Sequence, residues 1–98
     1  MNFDYTEQEV EEVLMKHFDQ VSPPILKSFP SKEKKKYLCL IPIIKAFEKD
    51  RKYTEKETNA VLKNVYAYDY CIIRRYLVDY GFLSRMENGQ FYWVNEAK

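Results

Sequence analysis

Apolar side chains recur at helical spacing through most of the chain and switch to alternate positions near its end. Segment 7–18 places Val10, Val13, Leu14 and Phe18 on one stripe, and segment 55–65 does the same with Val61, Leu62 and Val65, as amphipathic helices require. The two share an opening, Tyr5-Thr6-Glu7-Gln8-Glu9 and Tyr53-Thr54-Glu55-Lys56-Glu57, 48 residues apart. In each, the Thr can cap orphan backbone N–H groups and the Glu three positions on completes a capping box. The preceding Tyr can pack back onto the first turn. The likeness reads either as a true repeat or as two uses of one local device; a solenoid needs three or more units.

Between these helices, Ser22-Pro23-Pro24 ends the first and Phe29-Pro30-Ser31 sets up the next, with Ser31 as its N-cap. Tyr37, Leu40, Ile41, Ile44 and Phe47 predict a helix over 32–50, either kinked at Pro42, which removes a donor and crowds the preceding turn, or properly beginning near Pro42 after an irregular apolar segment. A further helix is expected over 69–80. Asp69 caps it, Ile72, Ile73, Tyr76, Leu77 and Tyr80 form its buried stripe, and Gly81 stops it. Phe82–Glu87 and Gln90–Val94 then flank Asn88-Gly89, a dipeptide that favours a tight primed turn. Pairing across it sets Met86 against Phe91, Arg85 against Tyr92 and Ser84 against Trp93, with Phe91 and Trp93 expected to fill the core beneath. Lys52-Tyr53 supplies a short third strand, since an isolated hairpin needs support. This order predicts an α+β winged helix: a helix-turn-helix with a C-terminal β-hairpin wing and an extra N-terminal helix. Residues 1–26 form the accessory helix and Pro-containing linker, and residues 27–98 the winged-helix-like domain.

The run Phe47-Glu48 … Tyr53-Thr54-Glu55-Lys56-Glu57-Thr58-Asn59, then Asp69 … Arg74-Arg75-Tyr76-Leu77-Val78-Asp79-Tyr80-Gly81-Phe82-Leu83-Ser84-Arg85 … Gly89 … Tyr92, resembles the bacterial domain-of-unknown-function family 2087. The resemblance covers roughly residues 27–93. It departs from the family pattern at Thr58, where an aliphatic residue is typical, and around Pro42. The resemblance implies a helix-turn-helix fold and a role as a predicted transcriptional regulator, without a known ligand or reaction.

Length and composition fit this picture. A chain of 98 residues supports one core rather than two, and 46% apolar with 16% aromatic residues is too rich for a disordered chain. The net charge of +1 hides a gradient. Residues 1–26 carry one Lys against six acids, residues 27–52 nine Lys/Arg against three, and residues 53–98 six against six. The Lys-rich middle can meet phosphate or be complemented by the acidic first segment. Cys39 and Cys71 lack metal or redox spacing; they are expected as two buried free thiols, with a disulfide between them as the lesser alternative. With a start that has no basic or apolar leader, this predicts a cytoplasmic protein. The apolar run Tyr37–Ile44 is far short of the ~20 residues of a membrane span.

Catalytic motifs are missing. His17 is the lone histidine, two glycines cannot build a phosphate loop, and paired acids such as Glu11-Glu12 read as helix surface. No enzyme, cofactor or metal is therefore expected. The candidate nucleic-acid contacts are Lys34, Lys35 and Lys36 at a helix start, where the helix dipole adds to their attraction for phosphate, together with Arg74 and Arg85. Arg75, about 100° round the helix from Arg74, is expected to pair with Glu55 or Glu57 and hold the helix-turn-helix angle. Tyr66, Tyr68 and Tyr70 offer rings for stacking or for a partner protein. The leading expectation is a DNA-binding transcriptional regulator acting on double-stranded DNA. The alternative is a non-catalytic protein-interaction module on the same scaffold. Val10, Leu14 and Phe18 offer either a homodimer face or a face for docking within the chain.

Overall fold

The computed structural model describes residues 3–95. Four helices and five short strands follow in the order α1 (Glu7–His17), β1 (Phe18–Gln20), β2 (Ile25–Leu26), α2 (Glu33–Ile44), β3 (Tyr53–Thr54), α3 (Glu55–Val65), α4 (Tyr70–Asp79), β4 (Leu83–Arg85) and β5 (Phe91–Val94). Both capping boxes form. Thr6 accepts from the Glu9 N–H while Glu9 accepts from the Thr6 N–H, and Thr54 and Glu57 do the same for α3. The tyrosines before them part ways: Tyr5 is half exposed, whereas Tyr53 is buried and its hydroxyl accepts from the Glu48 N–H at 2.7 Å.

Three expectations need correction in the first half. The segment after α1 is not a plain linker: Phe18 pairs with Leu26 and Gln20 with Ile25 in a small antiparallel hairpin, which turns both Phe18 and Leu26 into the core. The cap of α2 is Lys32, with no side-chain bond, rather than Ser31. Finally, α2 ends at Ile44 instead of Asp50. Pro42 lies in its last turn, where the missing donor frees the Leu38 carbonyl. The chain then tightens into three-residue turns, Lys45 N–H to Pro42 O, Ala46 to Ile43 and Phe47 to Ile44. Phe47 swings into the core against Tyr53, at 5.1 Å and near-perpendicular. Asp50 takes a left-handed φ of 61°, and the loop delivers Tyr53 to the sheet.

α4 begins at Asp69, whose carboxylate accepts from the Ile72 N–H. It ends in a Schellman arrangement, Phe82 N–H to Leu77 O and Gly81 N–H to Val78 O, with Gly81 at φ 80°. The second sheet has the order β3-β5-β4, all antiparallel. Its register is the expected one, with Ser84 opposite Trp93 and Arg85 opposite Tyr92. The turn is different. The Gly89 N–H bonds to Met86 O and only Gly89 is left-handed, so the primed two-residue turn, which would need Asn88 left-handed too, does not form. Helix-turn-helix α3–α4 followed by a hairpin that recruits β3 is a winged-helix-like topology.

One cluster of buried side chains joins all of these elements: Val13, Phe18 and Leu26 from the N-terminal part, Leu38, Leu40 and Ile43 from α2, and Leu62, Ile73 and Leu77 from α3 and α4. Val10 and Leu14 also pack against it. The α1 stripe thus packs onto the core of its own chain. Beneath the wing the core rings are Tyr92 and Phe82, while Phe91 and Trp93, one position out of phase, are only half buried. Tyr92→Ala is therefore expected to cost about 3–5 kcal/mol, a large share of a small domain's stability. Trp93→Ala is expected to cost less than about half of that, because less ring area leaves water. Urea denaturation of the two variants measures the difference.

Candidate nucleic-acid interface

The exposed side of α4 and the wing enclose a groove of about 480 Å³, lined by Cys71, Arg74, Arg75, Val78, Asp79, Arg85 and Tyr92. Its wall follows from strand register. Residues directly opposite share a face of a sheet, so Tyr53, Tyr92 and Arg85 form one row across β3, β5 and β4. The two tyrosines are buried and Arg85, at the open end, faces the groove. A Cβ at Gly89 would lie 3.4 Å from Arg85 Nη1, which puts the guanidinium beside the wing turn.

The pairing expected of Arg75 passes to its neighbour Arg74. Arg74, with 21% of its side chain exposed, lies 3.4 Å from Glu55 Oε1 and donates a short hydrogen bond to Asn59 Oδ1. It is the residue that ties α4 to α3. Arg75 reaches neither Glu55 nor Glu57; it is 79% exposed and, among the described residues, makes only an i,i+4 pair with Asp79 at 3.7 Å. Glu57 is engaged by its own capping box and by Arg51 at 3.4 Å, and these contacts, the Thr54 backbone first, hold its carboxyl below the usual range. The transfer has a simple cause. Ile73 and Leu77 set the buried line of α4, and the α3 side of that line falls on position 74.

Lys34, Lys35 and Lys36 also diverge, as consecutive helical positions must, each about 100° from the next. Lys34 pairs with Glu9 of α1 at 2.8 Å. Lys36 donates to the Tyr76 hydroxyl at 3.1 Å and lies over that ring, and the hydroxyl raises the pKa of its ammonium. Lys35 alone of the three is exposed. The lysine cluster is thus divided between α1, solvent and α4. Among the tyrosines, Tyr68 is 88% exposed at the turn into α4, with Tyr66 5.9 Å away, and Tyr70 lies under Lys63.

Cys71 is exposed, contrary to expectation, while Cys39 is fully buried and burial pushes its thiol up to about 12. His17 is buried at the end of α1, its Nδ1 2.9 Å from Ser28 Oγ. Burial first, and then the nearby Lys16, lower its pKa. Among the described residues no group of three or more His, Cys, Asp and Glu is placed to hold a metal ion, and no helix is long and apolar enough to cross a membrane.

Residues 25–94 match the model of a family described as an uncharacterized protein conserved in bacteria, DUF2087, and the chain belongs to that family. The match takes in α2, α3, α4 and the wing, and leaves α1 and β1 outside. No curated protein and no solved structure matches the chain. Thr58, the departure within the family motif, is fully buried, with its hydroxyl donating to Thr54 O at 2.9 Å. It occupies a core position while satisfying its own polar atom.

Two predictions follow from this geometry. Arg74→Ala is expected to lower stability by about 1–2 kcal/mol, since a part-buried charge-assisted bond and an ion pair are lost. Arg75→Ala is expected to stay within about 0.5 kcal/mol of the parent; paired chemical denaturation curves distinguish the two. The second concerns His17. Its folded-state pKa is depressed, so its contribution is full above the ordinary histidine value of about 6.5 and is lost as pH falls through the folded-state value. Thermal melts between about pH 7.5 and 5.5 should fall for the parent and flatten in His17→Gln, which can still bond to Ser28.

Proposed function

We propose that the protein is a DNA-binding regulator of helix-turn-helix type, with α4 entering the major groove and the wing beside it. The observation that carries this reading is the exposed edge of α4. Arg75 is 79% exposed and pairs with Asp79 of its own helix, and Arg85 flanks the same groove from the wing. A guanidinium on a recognition helix suits base edges or phosphate, and one on a wing suits the neighbouring backbone. Lys35 and the exposed Tyr68 extend the list of candidate contacts. Lys34, Lys36 and Arg74, engaged within the chain, are secondary to these.

A second reading, a protein-interaction module on the same scaffold, is favoured by one feature. Tyr68 is almost fully exposed next to a helix whose arginines face Glu55 and Asp79, and folds do not fix functions. Salt dependence separates the two. With two to three phosphate contacts, affinity for duplex DNA should fall roughly 10–50-fold between about 50 and 200 mM salt. Arg75→Ala with Arg85→Ala should weaken binding at least about tenfold, with the fold intact by circular dichroism. Fluorescence anisotropy on a random duplex and on the DNA upstream of the protein's own gene measures both. Absence of binding to either at tens of micromolar protein, or binding indifferent to salt and to the arginines, would favour the interaction module.

A further inference from the structure

A second cleft, of about 470 Å³, opens between α1 and α2, and no residue lines both this cleft and the α4 groove. Its size falls within the range of small-molecule sites. The floor is apolar, made by Val13 and Leu38 of the core. His17, 6% exposed and anchored by Ser28, forms part of the wall.

The rim is strongly unbalanced in charge. Four ammonium groups, from Lys16, Lys32, Lys34 and Lys35, stand against the carboxylates of Glu9 and Glu12. Glu9 is already matched by Lys34 at 2.8 Å, which leaves three lysines facing one acid. The start of α2 lies at the same rim, and its N-cap Lys32 makes no side-chain bond. The first-turn N–H groups therefore add positive potential where the lysines gather. A cation is disfavoured by this arrangement, and a neutral molecule leaves the ammonium groups unmatched.

We propose that the cleft between α1 and α2 binds a small organic anion, with its apolar body on Val13 and Leu38 and its carboxylate or phosphate among Lys16, Lys32 and Lys35. Such a ligand touches both helices, and so fastens the N-terminal helix, which lies outside the family match, onto the domain. The proposal does not depend on whether the α4 groove binds DNA, because none of that groove's residues lines the cleft.

The single histidine of the chain makes the test direct, since the ring signals of His17 report on the cleft in the proton NMR spectrum of the full-length protein. Phenyl phosphate carries both halves of the proposed ligand, phenol only the ring, and inorganic phosphate only the charge. Phenyl phosphate is expected to shift the His17 signals saturably with a midpoint below about 1 mM, and to bind more tightly than either fragment. Lys32→Glu with Lys35→Glu, two exposed positions, should raise that midpoint at least about tenfold while the far-ultraviolet spectrum is unchanged. No saturation by about 10 mM phenyl phosphate would overturn the proposal. So would an equal response to either fragment, or a midpoint indifferent to the two reversals.

Discussion

The burial of α2 organises the molecule. Leu38, Cys39, Leu40 and Ile43 have essentially no exposed surface, and Tyr37 and Pro42 are buried beside them. These positions run round much of the helix, and a helix that is apolar on most sides needs cover on most sides. α1 covers one side through Val13. On another, the Tyr37 ring meets Phe82 at the start of the wing, 5.3 Å away, and Tyr76 of α4 meets Lys36. The helix outside the family match is in this sense part of the same core as the helix-turn-helix.

That packing also decides where the positive charge goes. The middle of the chain is rich in lysine, but a helix wrapped by neighbours cannot hold its lysines on one common face. Lys34 is drawn to the acidic α1 and Lys36 to a tyrosine of α4. The acidic opening of the chain and its basic middle thus meet across one helix pair, leaving a cleft whose remaining charge is positive. The exposed guanidinium of α4 lies elsewhere, beside the wing. The domain therefore carries two recesses with basic linings and no residue in common, rather than one broad basic surface.

The wing repeats this logic on a smaller scale. β5 lies between β3 and β4, so the two-residue β3 is enough to complete a three-stranded sheet. The row Tyr53, Tyr92, Arg85 places two rings against the core and one charge at the groove. Trp93 and Phe91 fall on the opposite face, where Lys52 approaches the indole at 5.9 Å.

The local devices of this fold were legible in the residues themselves. Thr-x-x-Glu determines two capping boxes, Asp69 and Gly81 bound α4, and alternation around Gly89 sets the hairpin register, because each depends on neighbours within a few positions. What lay beyond reach depended on distant partners. Tertiary packing decided that α2 stops at Ile44 so that Phe47 can meet Tyr53, and that Tyr92 rather than Trp93 faces inward. It also decided that Arg74, not Arg75, turns toward Glu55. In a helix or strand, a shift of one position moves a side chain by 100° or to the other face. Sequence spacing fixes the stripe, but which edge of the stripe meets a neighbour depends on how the elements are docked.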